Sequence, residues 1–126
     1  MRTITRVLVI CSLTMVVVIG CEQQLTVQTA PIEFRVAATD RNPSACQRFD
    51  AALSRVHTFT RTGDTASVRS AGGVSSNMTQ SSPGVFTTDF SIGGTTMRVV
   101  ANTTTSPKSL DVTEPRLGCR WSAIAP

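Results

Sequence analysis

The sequence predicts an α+β domain in which one helix, over about residues 43–57, packs on a curled antiparallel sheet of about six strands. Three observations support this fold class. Apolar and polar residues alternate in several short runs, as they do in strands with one buried face. Turn-forming residues, glycine above all, separate these runs. One stretch instead repeats its apolar residues every three or four positions, which is typical of an amphipathic helix packed on a sheet.

The strands are predicted from alternation and from turns. Ile32, Phe34 and Val36 alternate with charged residues and predict the first strand. Residues 85–92 and 95–102 flank a Gly-Gly pair that can take the positive φ angles of a two-residue hairpin. The other β-prone runs are shorter or more polar, and they lie at residues 58–62, 65–70 and 74–80, around Leu110 and Val112, and around Cys119, Trp121 and Ala123.

One helix is predicted between about residues 43 and 57. Pro43 suits the first position of a helix because its fixed φ angle is already helical. An apolar stripe follows at spacings of three, four and three, formed by Cys46, Phe49, Leu53 and Val56. We expect this helix to end near His57 and to direct the sulfur of Cys46 toward the sheet.

The first 20 residues have the proportions of a secretory signal peptide. Arg2 and Arg6 make a short basic start, and the 13 residues from Val7 to Ile19 are apolar apart from Ser12 and Thr14. A helix of this length rises about 20 Å, which is well short of the ~30 Å hydrocarbon core of a bilayer. The segment therefore predicts export rather than a permanent membrane span.

The end of this segment, Val18-Ile19-Gly20-Cys21, resembles the lipobox of bacterial lipoproteins. The resemblance implies cleavage between Gly20 and Cys21 and attachment of a diacylglyceryl group to the Cys21 sulfur. Two or three acyl chains hold a protein firmly on a membrane, whereas a single chain binds only marginally. The alternative is an ordinary cysteine beside a simple signal or a short anchor.

The resemblance implies a place in the bacterial cell envelope and divides the chain into three parts. Residues 1–20 would be removed, residues 21–30 would form the lipidated N-terminus and a short polar tether, and residues 31–126 would form one small domain. In enteric-type sorting, an Asp after the lipidated cysteine retains a lipoprotein at the inner membrane. Glu22 points instead to the outer membrane where the host has two, facing the periplasm or the surface.

The four cysteines divide among three roles. Cys11 lies in the export signal and Cys21 would carry the lipid, which leaves Cys46 and Cys119 as an even pair in an oxidising compartment. A bond between them would close a loop of about 74 residues, worth roughly 4 kcal/mol by the chain-entropy estimate. Both cysteines also fall on predicted apolar faces, with Trp121 on the same face as Cys119. Two buried thiols, or a redox or metal role, are the alternatives.

Composition excludes several classes of function. The net charge of +4 falls to +2 when Arg2 and Arg6 leave with the signal, which removes the main support for nucleic-acid binding. His57 is the only histidine, and the carboxylates are scattered along the chain rather than adjacent. We therefore expect no metal site, no cofactor and no catalytic residue, and we interpret His57 as a structural residue at a helix end.

Two function classes remain. The first is a non-catalytic envelope lipoprotein that binds another envelope protein or supports an assembly. The alternative is a small-ligand-binding or enzyme-inhibitor module that uses the concave face of the sheet. Lipidated lysozyme inhibitors are similar in length, but their Ser-Gly-x-x-Tyr recognition loop has no counterpart in a chain without tyrosine. A roomy apolar concavity would favour a ligand, and a flat exposed apolar patch would favour a protein partner.

Overall fold

The computed structural model describes residues 29–126. The expected signal peptide, the lipobox with Cys21 and most of the tether lie outside the described residues. Residues 29–126 form a mostly antiparallel sheet with one short helical segment. In this range, no helix is long and apolar enough to cross a membrane.

Nine antiparallel strands make up the sheet. Their bounds are β1 (Ile32–Arg35), β2 (Ala37–Ala38), β3 (Val56–Thr62), β4 (Thr65–Ser70), β5 (Ser75–Ser82), β6 (Val85–Ile92), β7 (Thr95–Asn102), β8 (Lys108–Glu114) and β9 (Cys119–Ala125). In space they follow the order β1-β3-β4-β5-β6-β7-β8-β9-β2. From β3 to β9 every strand pairs with its neighbours in sequence, so short hairpin connections build the whole sheet.

The first segment of the sheet nearly closes it into a barrel. β1 pairs with β3, and β2, only one residue further on, pairs with β9 at the other edge. Val36 lies between β1 and β2, is buried, and donates its backbone N–H to the carbonyl oxygen of Arg55 at 3.0 Å. Because one segment pairs at both edges, the sheet does not present two long free edges to other chains.

The prediction of about six strands was wrong. The sheet has nine, partly because the first predicted strand is divided at Val36 into β1 and β2. β3, β4 and β5 are rich in Thr and Ser and place few apolar side chains inward, chiefly Phe59, Val68 and Met78. Such strands give a weak alternation signal, but the continuous pairing between neighbouring hairpins holds them in the sheet.

The predicted helix over 43–57 was also too long. A 3-10 segment, Ser44–Phe49, leads directly into a short α-helix, α1 (Asp50–Leu53), and the helical segment ends there. Cys46, Phe49 and Leu53 are buried as the stripe predicted. Val56 instead begins β3, because pairing with β1 on one side and β4 on the other satisfies the backbone of 56–62 better than a longer helix would.

Glycine allows the tight hairpin between β6 and β7. Gly93 and Gly94 take φ angles of 55° and 80°, and Ile92 pairs directly with Thr95 across them. A residue with a Cβ atom is strained in this left-handed region, so the two glycines fix the register of both strands. This hairpin is confirmed with the predicted bounds.

The predicted disulfide is confirmed. Cys46 and Cys119 are bonded, with their Cα atoms 5.8 Å apart, and both are buried. The bond attaches the helical segment to the first residue of β9. Trp121, two residues further along the same inward face, is fully buried, and its ring meets the ring of Phe49 edge-on at 6.2 Å. The helical segment is therefore fixed over the end of the barrel at which β3 and β9 begin, here called the helical end.

Candidate functional site

Two neighbouring strands, β5 and β6, separate at the helical end of the barrel. Their register runs only from Thr79↔Thr87 to Ser82↔Val85, with an irregularity between Gln80 and Ser82. Residues 75–79 of β5 still pair with β4, and residues 88–92 of β6 still pair with β7. Each strand thus keeps its outer neighbour while the ladder between them stops, and we call this gap the β5–β6 split.

A cavity of about 260 Å³ lies at the split. Its volume is just below the ~300 Å³ at which the usual range of small-molecule sites begins. Most of its lining is apolar and comes from the helical segment, the β4–β5 turn and four strands: Ala52, Leu53, Val68, Val74, Phe90, Ile92, Val99, Leu110 and Val112.

Four polar residues complete the lining of the cavity. Three are serines, Ser70 at the end of β4, Ser76 in β5 and Ser91 in β6. Ser70 and Ser76 lie at inward positions of their strands, whereas Ser91 is exposed and lies on the outward side of β6 with Asp89. The fourth is His57, which pairs with Ser70 across the β3–β4 ladder. None of the thirteen lining residues is an Asp, Glu, Lys or Arg. A charged molecule would therefore lose its hydration without gaining a partner of opposite charge, so the cavity suits a neutral molecule.

His57 lies in β3 rather than at the end of a helix as predicted. Its side chain is buried, and Nε2 donates a hydrogen bond to the backbone carbonyl of Leu53 at 3.0 Å. In a neutral imidazole ring, Nδ1 is then the nitrogen without a proton and acts as an acceptor. No buried side-chain nitrogen or oxygen in residues 29–126 lacks a partner. Among the described residues, His57 has one side-chain hydrogen bond, the one from Nε2, and the residue lines the cavity.

One side of the cavity mouth is formed by the turn between β4 and β5. Val74 in this turn is 67% exposed although it is aliphatic, and it lines the cavity together with the partly buried Phe90 and Ile92. Gly73 precedes it with a φ angle of 90°, and Ser70 donates its backbone N–H to the carbonyl oxygen of Val74 at 2.9 Å. An exposed valine at the rim adds apolar surface where a ligand would enter.

Asp50 and Glu114, two carboxylates near the helical end, have structural partners. Asp50 accepts a hydrogen bond of 2.7 Å from the indole N–H of Trp121. Glu114 is buried, and its two oxygens accept the backbone N–H groups of Arg116 and Leu117 in the turn between β8 and β9. Both groups thereby stabilise the ends of strands, and neither lines the cavity.

Two further carboxylates form ion pairs on the outer face of the sheet. Arg98 makes two hydrogen bonds to Asp89, which hold the pKa of the Asp89 carboxyl below its ordinary value. Arg120 makes a similar pair with Asp111, with a closest contact of 2.7 Å. Within residues 29–126, no group of three or more His, Cys, Asp or Glu side chains is placed to hold a metal ion. The cavity thus offers burial and hydrogen bonding as its chemistry.

Comparisons of the chain with protein-family models, with curated proteins and with solved structures found no match. The candidate site is therefore described from the positions and chemistry of its lining residues.

The sequence identified only part of this site. His57 was noted as the lone histidine, but the cavity and its three serines were not predicted. The alternation pattern could have indicated two of the serines. Ser70 follows Ala66 and Val68 among the inward-facing positions of β4, and Ser76 precedes Met78 among those of β5. A polar residue at an inward position of a strand is an exception to the usual pattern and marks a position to examine for a site.

Proposed function

We propose that this protein is a membrane-anchored bacterial envelope lipoprotein whose barrel binds a small neutral apolar molecule. The observation that carries the proposal is the apolar cavity of about 260 Å³ that opens at the β5–β6 split. Protein interiors are packed as closely as organic crystals and contain few voids larger than a water molecule. A connected apolar space of this size, with four polar groups in its lining, is typical of a ligand site.

This proposal takes up the ligand alternative rather than the protein-interaction role that the sequence favoured. Three large hydrophobic residues are exposed within residues 29–126, namely Val74, Leu117 and Ile124. They lie on three separate segments, the β4–β5 turn, the β8–β9 turn and the end of β9, and Val74 belongs to the cavity mouth. The one of these residues that lines the cavity, Val74, supports a ligand at the cavity mouth.

The position of the expected anchor is compatible with an accessible cavity. The described chain begins at Thr29, whose backbone N–H donates to the carbonyl oxygen of Arg61 near the end of β3. His57 lies at the beginning of the same strand, about 13 Å away at ~3.3 Å per residue. Thr29 therefore lies toward the end of the barrel opposite the cavity mouth.

The anchor itself is tested by the mass of the mature protein. We expect a chain that begins at Cys21 and carries two or three acyl groups, because the lipobox places the cysteine directly after the apolar segment. Intact-mass spectrometry of protein extracted from the host membrane measures this, with Cys21→Ser as the matched variant that offers no sulfur for the lipid. A wild-type protein that lacks acyl mass, or that retains residues 1–20, would contradict the prediction.

Ligand binding is tested by filling the cavity from β5. Ser76 faces the cavity, whereas its neighbour Ser75 is exposed on the outer face, so Ser76→Phe and Ser75→Phe add the same ring on opposite sides of one strand. The ring at residue 76 would occupy much of the 260 Å³. We expect wild type and Ser75→Phe, purified from the host envelope, to carry a small molecule that Ser76→Phe lacks, with at least a tenfold difference in amount. Mass spectrometry of the denatured preparations measures this.

Thermal unfolding of the three proteins is the control for folding. Ser76→Phe should unfold at or above the temperature of Ser75→Phe, since the new ring enters an existing space and displaces no packed side chain. The proposal is wrong if wild type carries no small molecule and gains none on exposure to apolar compounds. If the wild-type preparation instead retains another envelope protein in a one-to-one ratio, the protein-interaction role would be the better explanation.

A further inference from the structure

We infer that the ligand is a compact neutral molecule with a mostly apolar body and one hydroxyl or N–H donor, which it directs to Nδ1 of His57. This rests on the proposed function, because it names the class of molecule that the same cavity would bind. The compact size follows from the volume of about 260 Å³, which is just below the usual ~300–1,000 Å³ range of small-molecule sites. The neutral charge follows from a lining without any Asp, Glu, Lys or Arg.

The requirement for a donor comes from the way His57 is held. The bond from Nε2 to the carbonyl oxygen of Leu53 determines which nitrogen carries the proton and leaves Nδ1 as an acceptor. Water can satisfy Nδ1 while the cavity is empty. A ligand that expels this water without donating a hydrogen bond would leave a buried acceptor unpaired, at a cost comparable to a lost hydrogen bond. A ligand with a donor removes that cost.

A donor also provides selectivity, because sites that hydrogen-bond one group of a ligand discriminate strongly against analogues that lack this group. The serines at the mouth can donate as well as accept, so they do not by themselves demand a donor from the ligand. Nδ1 of His57 differs from them because it can only accept. The selectivity for a donor is therefore assigned to His57.

Three probes of similar shape separate the effect of the hydrogen-bond donor from the effect of the apolar body. p-Cresol has an apolar ring with one hydroxyl donor, p-xylene replaces that hydroxyl by a methyl group, and 4-methylanisole keeps the oxygen but cannot donate. Calorimetric titration would use the lipidated protein in lipid nanodiscs, with nanodiscs that lack the protein as the blank for probe that dissolves in the bilayer. We expect p-cresol to bind about five- to tenfold more tightly than either other probe, the ratio that one net hydrogen bond supplies.

The ring of His57 can be observed directly because it is the only histidine in the chain. In protein labelled with ¹⁵N-histidine, p-cresol should shift the Nδ1 resonance, whereas the Nε2 resonance, bonded to Leu53, should move much less. p-Xylene should produce neither change. This measurement needs no substitution, so it tests the hydrogen bond to Nδ1 even if variants of His57 fold poorly.

The matched variant is His57→Phe, which keeps a ring and removes the acceptor. It should bind p-xylene more tightly than p-cresol, because an apolar cavity without a partner favours the less hydrated probe. Tighter binding of p-xylene to the wild type, or equal binding of p-cresol and 4-methylanisole, would overturn the inference while leaving ligand binding intact. Failure of all three probes to bind would overturn the inference and the proposed function together.

Discussion

Replacement of Cys46 or Cys119 by Ser is expected to lower the free energy of unfolding by about 2–5 kcal/mol, the usual contribution of a native bridge in a small secreted domain. The bond closes a loop with a sequence separation of 73, so its loss gives the unfolded chain much more freedom. Both positions are buried, and a serine hydroxyl there would add the cost of an unpaired polar group. Against a net stability of ~5–15 kcal/mol, such a loss could leave much of the protein unfolded.

Urea unfolding followed by tryptophan fluorescence measures this loss, because Trp121 is the only tryptophan and is fully buried. The double variant Cys46→Ala with Cys119→Ala is the control, since it removes the bond without leaving a thiol or a buried hydroxyl. It should lose less stability than either serine variant but still fall well below wild type. A change under about 1 kcal/mol in all variants would show that packing alone holds the helical segment.

The same bond connects stability with the candidate site. Ala52 and Leu53 line the cavity, and they follow Cys46 in the helical segment that the disulfide attaches to β9. Loss of the bond removes the covalent constraint on this wall of the cavity. The double alanine variant should therefore also bind p-cresol more weakly than wild type under conditions where both remain folded.

A disulfide across the β5–β6 split is expected to slow ligand entry and release by at least tenfold. Extending the register beyond Thr79↔Thr87 places Asn77 opposite Asp89, and both side chains are exposed on the outer face. In Asn77→Cys with Asp89→Cys, the new bond would hold together the two strands whose separation opens the cavity. The rate of p-cresol exchange, measured by NMR line shape, reports the effect.

Two controls isolate the closure of the split. The first is Thr79→Cys with Thr87→Cys, one step along the strands, where the ladder is already paired and a bond should leave exchange unchanged. The second is the Asn77→Cys and Asp89→Cys variant alkylated before oxidation, which also corrects for the lost ion pair to Arg98. Equal exchange rates in the oxidised and alkylated forms would show that ligands enter elsewhere.

The sequence determined the elements that depend on local chemistry. Alternation located most of the strands, Gly93 and Gly94 predicted the tightest hairpin, and the cysteine count left one pairing within the domain. These predictions were correct because a strand face, a left-handed turn and a disulfide each depend on only a few residues. The side chains of those residues act in the same way in any context. The lipobox belongs to the same kind of local signal and stays a prediction.

Tertiary structure decided where the helical segment ends, how the sheet closes and where a space is left. Val56 fits both the helical stripe and a strand, and only pairing with β1 and β4 assigns it to β3. Likewise, the bend at Val36 depends on the presence of two sheet edges at the correct distance. The cavity arises where the ladder between β5 and β6 ends while both outer ladders continue, so no single segment encodes it. Closure and packing depend on residues far apart in the chain, and alternation within one strand carries no information about its distant neighbours.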